Sequence, residues 1–469
     1  MKKLIFIQLL IAVLLSSCLV GKRYQRPDMN VPGNYINSDS TTAVTDSLSE
    51  IVGSDTLSEF AAKDTTLNLQ WFELFGDSIL NSLITQALDS NTNLKIAALR
   101  IQQSRSVYKN AGSYLWPSIG YSGSANIADP ADDKFQLLGT AAWELDFWGK
   151  IRHSKRAAYA QMLASEEGLR SLKTTLISDV ASLYFLLRDL DNRVEVARQT
   201  VASRTEFYNM VNERFLKGES AELDKLQAEQ QLALGQADLN SLQREQSITE
   251  RSMNILLGQT PGAVPRGLTN TDQPDIPEIP AGLPSTLLEN RPDVKAAEQQ
   301  LIAETERIGV TQAMRFPSFS LTGLFGLASN DISTLLDGEA LTAGVTGMIM
   351  GPIFEFGRNK RRVDIQKAEA EIAMNSFLDT YRRALADVEN ALVGIKLYRD
   401  EYAARMRQVE AARKALMLTK AKYEQGFSNY LEVLIAESYA FDAEMLASFT
   451  RGQQLATTVS LYRALGGGW

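Results

Sequence analysis

Phe147-Trp148-Gly149-Lys150 is answered by Phe354-Glu355-Phe356-Gly357-Arg358, with the two glycines 208 residues apart (357−149). The match runs on downstream. Gly149, Gly218 and Gly258 are spaced by 69 and 40 residues (218−149, 258−218), and Gly357, Gly426 and Gly466 repeat both intervals (426−357, 466−426). Arg214-Phe215-Leu216-Lys217-Gly218 answers Lys422-Tyr423-Glu424-Gln425-Gly426, and Leu257-Gly258 answers Leu465-Gly466. Similarity at a fixed offset marks an internal repeat. Proline is missing between Gly149 and Pro261 and again after Pro352. The 69-residue interval within each span (218−149, 426−357) is about 100 Å long at helical rise. Its duplication predicts two equal rods that end at one level.

Upstream of each rod the periodicity changes from helical to alternating. Ile119, Tyr121, Gly123, Ala125 and Ile127 alternate with Ser118, Gly120, Ser122, Ser124 and Asn126. Phe135, Leu137, Gly139, Ala141, Trp143, Leu145 and Phe147 alternate mainly with polar or small residues. Phe319, Leu321, Gly323, Phe325 and Leu327 repeat the pattern, and Leu341 to Glu355 supplies a fourth strand. Period-two alternation fits a transmembrane barrel strand, and equally a water-soluble hairpin with one buried face. Trp116-Pro117 and Phe316-Pro317 close the preceding helices at an offset of 200 (316−116). The offset grows by eight residues within the hairpin (208−200), which assigns the insertion to the second outer loop.

The N-terminus carries a processing signal: Lys2-Lys3, an apolar stretch from Leu4 to Leu15, then Leu15-Ser16-Ser17-Cys18. Cys18 is the only cysteine and stands where a lipobox places its acylated residue. No later segment holds about 20 consecutive apolar residues, so any span of the membrane must be a closed β-barrel. The expected organisation is a signal peptide over 1–17, a lipidated leader and polar linker over 18–68, a first repeat over 69–260, a Pro-rich connector over 261–283 and a second repeat over 284–469. Within the first repeat a hairpin is expected at about 118–147, a long helix at 150–217 and a returning helix at 221–257. The second repeat places them at about 318–355, 358–425 and 429–465, with turns near Gly218 and Gly426.

Composition excludes several functions. With 48 Lys+Arg against 56 Asp+Glu and no basic block, nothing offers a footprint for nucleic acid. His153 is the single histidine and is expected on the surface of a long helix. Without Cys or His partners no zinc or thiolate site can be assembled within one chain, and neither common phosphate-cradling glycine pattern is present. No enzyme activity, cofactor or metal is expected.

Taken in order, helix, hairpin, long helix and returning helix, twice over, resemble the TolC-like outer-membrane efflux channel superfamily, and within it the NodT-type lipoprotein branch. The residues carrying the resemblance are Tyr24-Gln25-Arg26-Pro27, Trp71-Phe72-Glu73-Leu74-Phe75-Gly76-Asp77, Leu283-Pro284-Ser285 with Arg291-Pro292-Asp293-Val294 and Ala297-Glu298, Phe316-Pro317-Ser318-Phe319-Ser320-Leu321-Thr322-Gly323, and Tyr462-Arg463-Ala464-Leu465-Gly466-Gly467-Gly468-Trp469. The resemblance implies a fold of mixed α and transmembrane β structure. A homotrimer would share a 12-stranded β-barrel, four strands from each subunit, continued by a periplasmic α-helical barrel.

The same resemblance implies an exit duct for small molecules in the bacterial outer membrane, anchored through Cys18. Its partners would be a periplasmic adaptor and an inner-membrane resistance–nodulation–division transporter. Gly218 and Gly426 become periplasmic tips and adaptor contacts, and Asp224, Tyr423, Glu432 and Ile435 become gate candidates. Relatives often carry a carboxylate where Ile435 stands, which makes this constriction partly apolar. The alternatives are the exit channel of a type I protein-secretion system and, in a different class, a lipid-anchored periplasmic coiled-coil scaffold without a barrel.

Overall fold

The computed structural model describes residues 20–21, 24–27, 75–127, 134–274 and 291–467. Cys18, most of the Trp71–Asp77 motif, residues 275–283 of the Pro-rich connector and the Leu283-Pro284-Ser285 motif lie outside the described residues. The elements in chain order are α1 (Ser78–Ser90), α2 (Thr92–Ser113), β1 (Ser118–Asn126), β2 (Lys134–Leu145), α3 (Lys150–Leu216), α4 (Glu222–Leu256), α5 (Pro292–Ala313), β3 (Ser318–Ser329), β4 (Leu341–Met350), α6 (Arg358–Glu424) and α7 (Tyr430–Ala464).

The duplication is copied into the boundaries. Helices α3 and α6 have 67 residues each, α4 and α7 have 35 each, and α2 and α5 have 22 each. The marker glycines explain themselves in the backbone: φ is +81° at both Gly149 and Gly357, +77° and +80° at Gly218 and Gly426, and +65° and +98° at Gly258 and Gly466. An L side chain meets a steric penalty in this left-handed region. Helices α3, α4, α6 and α7 each end in a Schellman arrangement, as in Glu219 N–H to Arg214 C=O at 2.9 Å and Phe427 N–H to Lys422 C=O at 2.8 Å.

Equivalence reaches single hydrogen bonds. Asn91 Nδ2 donates to the Leu256 carbonyl at 2.9 Å, and its counterpart Arg291 donates through Nη1 to the Ala464 carbonyl at 3.0 Å. Ser118 Oγ donates to the Ala142 carbonyl at 3.2 Å, and Ser318 Oγ to the Met350 carbonyl at 3.1 Å. Different side chains thus deliver the same bond at the same place.

By contacts the chain divides into two compact units. The first contains residues 96–169 and 292–381 together with the leader. Its sheet is antiparallel in the order β1-β2-β3-β4. The register aligns the odd-numbered residues on one face: Leu137 lies opposite Leu327, Gly139 opposite Phe325 and Phe325 opposite Ala343. That face is apolar, while Ser122, Ser124, Gln136, Thr140, Ser320, Thr322, Thr342 and Thr346 stand on the other. Tyr121, Phe325 and Val345 are exposed, and β1 and β4 have no further strand partner among the described residues.

Two sequence expectations change here. β4 ends at Met350 rather than at Glu355. The eight-residue insertion is only half loop: residues 330–340 stand against 127–133, and the segment 351–357 stands against 146–149. β3 is longer than β1 (12 residues against 9), and β4 is shorter than β2 (10 against 12). Both strand ends and the junction absorb residues because neither lies within the helical spans, whose lengths are held equal.

His153 is a third correction. It is buried, at 3% exposure, and its Nδ1 lies 2.5 Å from Glu306 Oε2. Gly309 and Gly21 make room for the ring: a Cβ on Gly309 would stand 2.7 Å from three of its atoms. Sequence reading placed His153 on a solvated helix face, whereas α5 and the leader cover that face. The leader's Tyr24 hydroxyl donates to Glu298 at 3.0 Å, and Arg26 reaches the same carboxylate at 3.2 Å.

The second unit comprises residues 31–95, 170–291 and 382–469. Asp77 organises one part of it. Its Oδ1 caps α1 by accepting from the N–H groups of Ile79 and Leu80. Its Oδ2 accepts from Tyr184 Oη at 2.6 Å, Leu268 N at 3.0 Å and Gln273 Nε2 at 3.1 Å. One buried carboxylate therefore ties helix α1, the long helix α3 and the connector together.

Candidate functional site

The two turns at Gly218 and Gly426 belong to the second unit and carry every gate candidate. Each turn joins a long helix to its returning helix through a left-handed glycine followed by a serine: Gly218-Glu219-Ser220 and Gly426-Phe427-Ser428. Both glycines have open space where a Cβ would stand, so conformation alone demands them.

Asp224 and Glu432 occupy the same position, the third residue of α4 and of α7. Ser220 Oγ donates to Asp224 Oδ2 at 3.1 Å, and Ser428 Oγ donates to Glu432 Oε2 at 2.6 Å. Acidic groups are favoured in the first turn of a helix by its unsatisfied N–H groups. The cap itself differs between turns. Asn429 Oδ1 accepts from Glu432 N at 3.0 Å, whereas Ala221 has no side chain able to cap. The Gly218 turn is the less secured of the two.

Tyr423 is brought into an aromatic cluster that sequence reading did not assemble. Phe207 of α3 stacks on Tyr430 of α7 with centroids 4.7 Å apart and planes at 13°, and Tyr423 of α6 lies 5.5 Å from Phe207. Val211, Ala228 and Val433 complete the core beneath them. Arg214 sits over the Tyr423 ring at 5.7 Å, a cation–π contact. Burial, with Glu437 adding to it, pushes the Tyr430 hydroxyl up to about 12. Behind the cluster, buried Arg204 faces Glu437 at 3.5 Å and donates through Nη1 to the Gln231 carbonyl at 2.9 Å. Phe207 and Val211 at helical spacing were the available signal, and only folding reveals that Tyr430 covers them. Ile435 is exposed, as is Glu432.

Among the described residues no cluster of His, Cys, Asp or Glu could hold a metal ion, and no helix is long and apolar enough to cross a membrane.

Comparison with known proteins agrees with this architecture. The family model for outer membrane efflux proteins matches residues 83–259 and 283–467, so it detects both repeats. The chain is 29% identical over 466 residues to the cation efflux system protein CusC of Escherichia coli O6:H1, covering 98% of this chain and 97% of that one. It is 30% identical over 409 residues to the toluene efflux pump outer membrane protein TtgI of Pseudomonas putida, covering 85% and 87%. The solved open state of the Neisseria gonorrhoeae MtrE outer membrane channel superposes with a TM-score of 0.82 at 27% identity, covering 96% of this chain and 98% of that one. Repeat, sheet and family match lead to one conclusion: the chain belongs to the outer membrane efflux protein family.

Proposed function

We propose that this chain is the exit duct of a tripartite efflux pump, working as a homotrimer in the outer membrane. The observation that carries the reading is the four-stranded sheet, which has an apolar face and, among the described residues, two unpaired edges in a chain of this family. Four strands enclose nothing, and unpaired strand edges cannot be left in lipid. Three copies supply twelve strands (3 × 4) and remove every edge. Acylated Cys18 anchors the leader to the membrane.

The duct spends no energy. A periplasmic adaptor engages the turns at Gly218 and Gly426, and an inner-membrane transporter of the resistance–nodulation–division type drives the cargo. Asp224, Tyr423, Glu432 and Ile435 form the gate. CusC is named for cations and TtgI for toluene at nearly equal identity to this chain, a contrast that supports a duct whose cargo is chosen upstream.

Full-length protein purified in detergent and added to planar bilayers tests the reading. A trimer by native mass and stepwise conductance are expected. A monomer that stays soluble without detergent and conducts nothing overturns it.

A further inference from the structure

In the sheet, β2 of the first repeat pairs with β3 of the second. The repeat makes β4 the counterpart of β2 and β1 the counterpart of β3, and β4 and β1 are the two strands left with a free edge among the described residues. The hairpins fix how residues correspond. Ser118 lies opposite Ala142, and Ser318 lies opposite Met350. Residues of β1 thus advance by 200 (318−118) into β3, and residues of β2 by 208 (350−142) into β4.

We infer that β4 of one copy pairs with β1 of a second copy in the register copied from β2 and β3, and that Phe356 of the first stacks on Trp116 of the second. The inference rests on the homotrimer proposed above and specifies its interface. In the chain Ala141 lies opposite Gly323, Trp143 opposite Leu321 and Leu145 opposite Phe319. Transposed, Ile349 lies opposite Gly123, Gly351 opposite Tyr121 and Ile353 opposite Ile119.

Side-chain volume selects this register over its neighbours. It sets a large residue against a glycine at two successive positions of the apolar face. A slip of two residues one way leaves Gly347 against Gly123. A slip the other way leaves Gly351 against Gly123. Directly opposite Cβ atoms are about 4.5–5.5 Å apart, so two facing glycines leave a gap in the apolar face, which the transposed register avoids. A slip of one residue turns the apolar face of one strand away from that of the other.

Three further observations meet the same template. Trp148 stacks on Phe316 at 4.6 Å between centroids, and the counterparts of these residues, Phe356 and Trp116, are 86% and 75% exposed. Phe356 has φ +49°, the only positive value at a non-glycine residue among the described residues, a conformation that persists where surroundings hold it. β2 reaches Leu145, while β4 stops at Met350, before its counterpart position Ile353. Those last residues are the ones whose partner strand belongs to the other copy.

Paired cysteines in the full-length chain, expressed in bacterial envelopes and mildly oxidised, test the register. Gly123→Cys with Ile349→Cys is expected to give covalently linked subunits on denaturing gels. Tyr121→Cys with Ile349→Cys and Ala125→Cys with Ile349→Cys place the thiols on diagonals and are expected to stay unlinked, as is the parent, which carries Cys18 alone. A native trimer that links through a diagonal pair, or through none, overturns the register while leaving the homotrimer intact. A native monomer overturns the homotrimer itself. For the aromatic contact, Phe356→Ala is expected to lower the temperature at which the detergent-resistant trimer dissociates, and Phe356→Trp to restore it. An unchanged temperature in Phe356→Ala overturns that contact.

Discussion

His153 Nδ1 stands 2.5 Å from Glu306 Oε2, and the imidazole that makes this contact lies against the backbone of Gly309. The single histidine of the chain is therefore a packing element between α3 and α5. Gly309→Ala drives a methyl group into the ring and is expected to destabilise the first unit by about 1–3 kcal/mol, the usual cost of overpacking. Removing the ring removes the clash. The double variant His153→Ala/Gly309→Ala should therefore fall short of the sum of the two single losses when thermal unfolding is compared in a double-mutant cycle. Strict additivity would show that the methyl group is accommodated elsewhere.

Asp77 predicts a larger loss. Asp77→Ala leaves the Tyr184 hydroxyl, the Leu268 N–H and the Gln273 amide without their shared acceptor and uncaps α1. Each buried polar group left unpaired costs about 1–3 kcal/mol. The expected outcome is early loss of the connector, read as protease cleavage within 261–274 before the helices unfold. Gly267→Ala should resemble it, because its Cβ would overlap the Asp77 carboxylate. Parent-like resistance to protease in both variants would refute this role for Asp77.

Tyr430 predicts an alkaline transition at the turns. Its hydroxyl is held above its ordinary value, at about 12, first by burial and then by Glu437. The neutral phenol is the form that the folded state prefers. Its contribution is fully present below pH 10.0, the ordinary value, and is lost as the pH rises towards about 12. Resistance to urea should fall across that window, and Tyr430→Phe should reduce the fall. A fall of undiminished size in Tyr430→Phe would assign it to another group.

Much of this was legible because duplication turns one weak pattern into two that must agree. Gly218 and Gly426 were readable as turns from spacing alone, and the boundaries of α3 and α6 fell within a residue of the expected ones. The Tyr430 cluster and the His153 pair were not readable. Both join residues more than 150 positions apart in the chain (430−207, 306−153), and each residue alone looks like an ordinary member of a polar helix. The end of β4 was misjudged for a related reason: alternation records which face a residue takes, while pairing depends on whether a partner strand is present.

The gate candidates admit a test that separates two roles. Asp224 and Glu432 are the carboxylates proposed to narrow the mouth, yet each also bonds to a serine of its own turn. A hydrogen bond of this kind contributes about 0.5–1.5 kcal/mol. If holding the turn were their whole role, Ser428→Ala and Glu432→Ala would loosen it alike and raise basal conductance alike. A charge that narrows the mouth behaves differently. Ser428→Ala keeps the carboxylate and should leave conductance near the parent level, whereas Glu432→Gln retains hydrogen-bonding capacity, loses the charge and should raise it. Asp224→Asn should do the same, with a larger effect on turn mobility because Ala221 supplies no side-chain cap to compensate. Single-channel recordings of the four variants in one lipid decide the matter. Equal conductance in Ser428→Ala and Glu432→Gln, both above the parent, would remove the gate role and leave the carboxylates as partners of their turn serines.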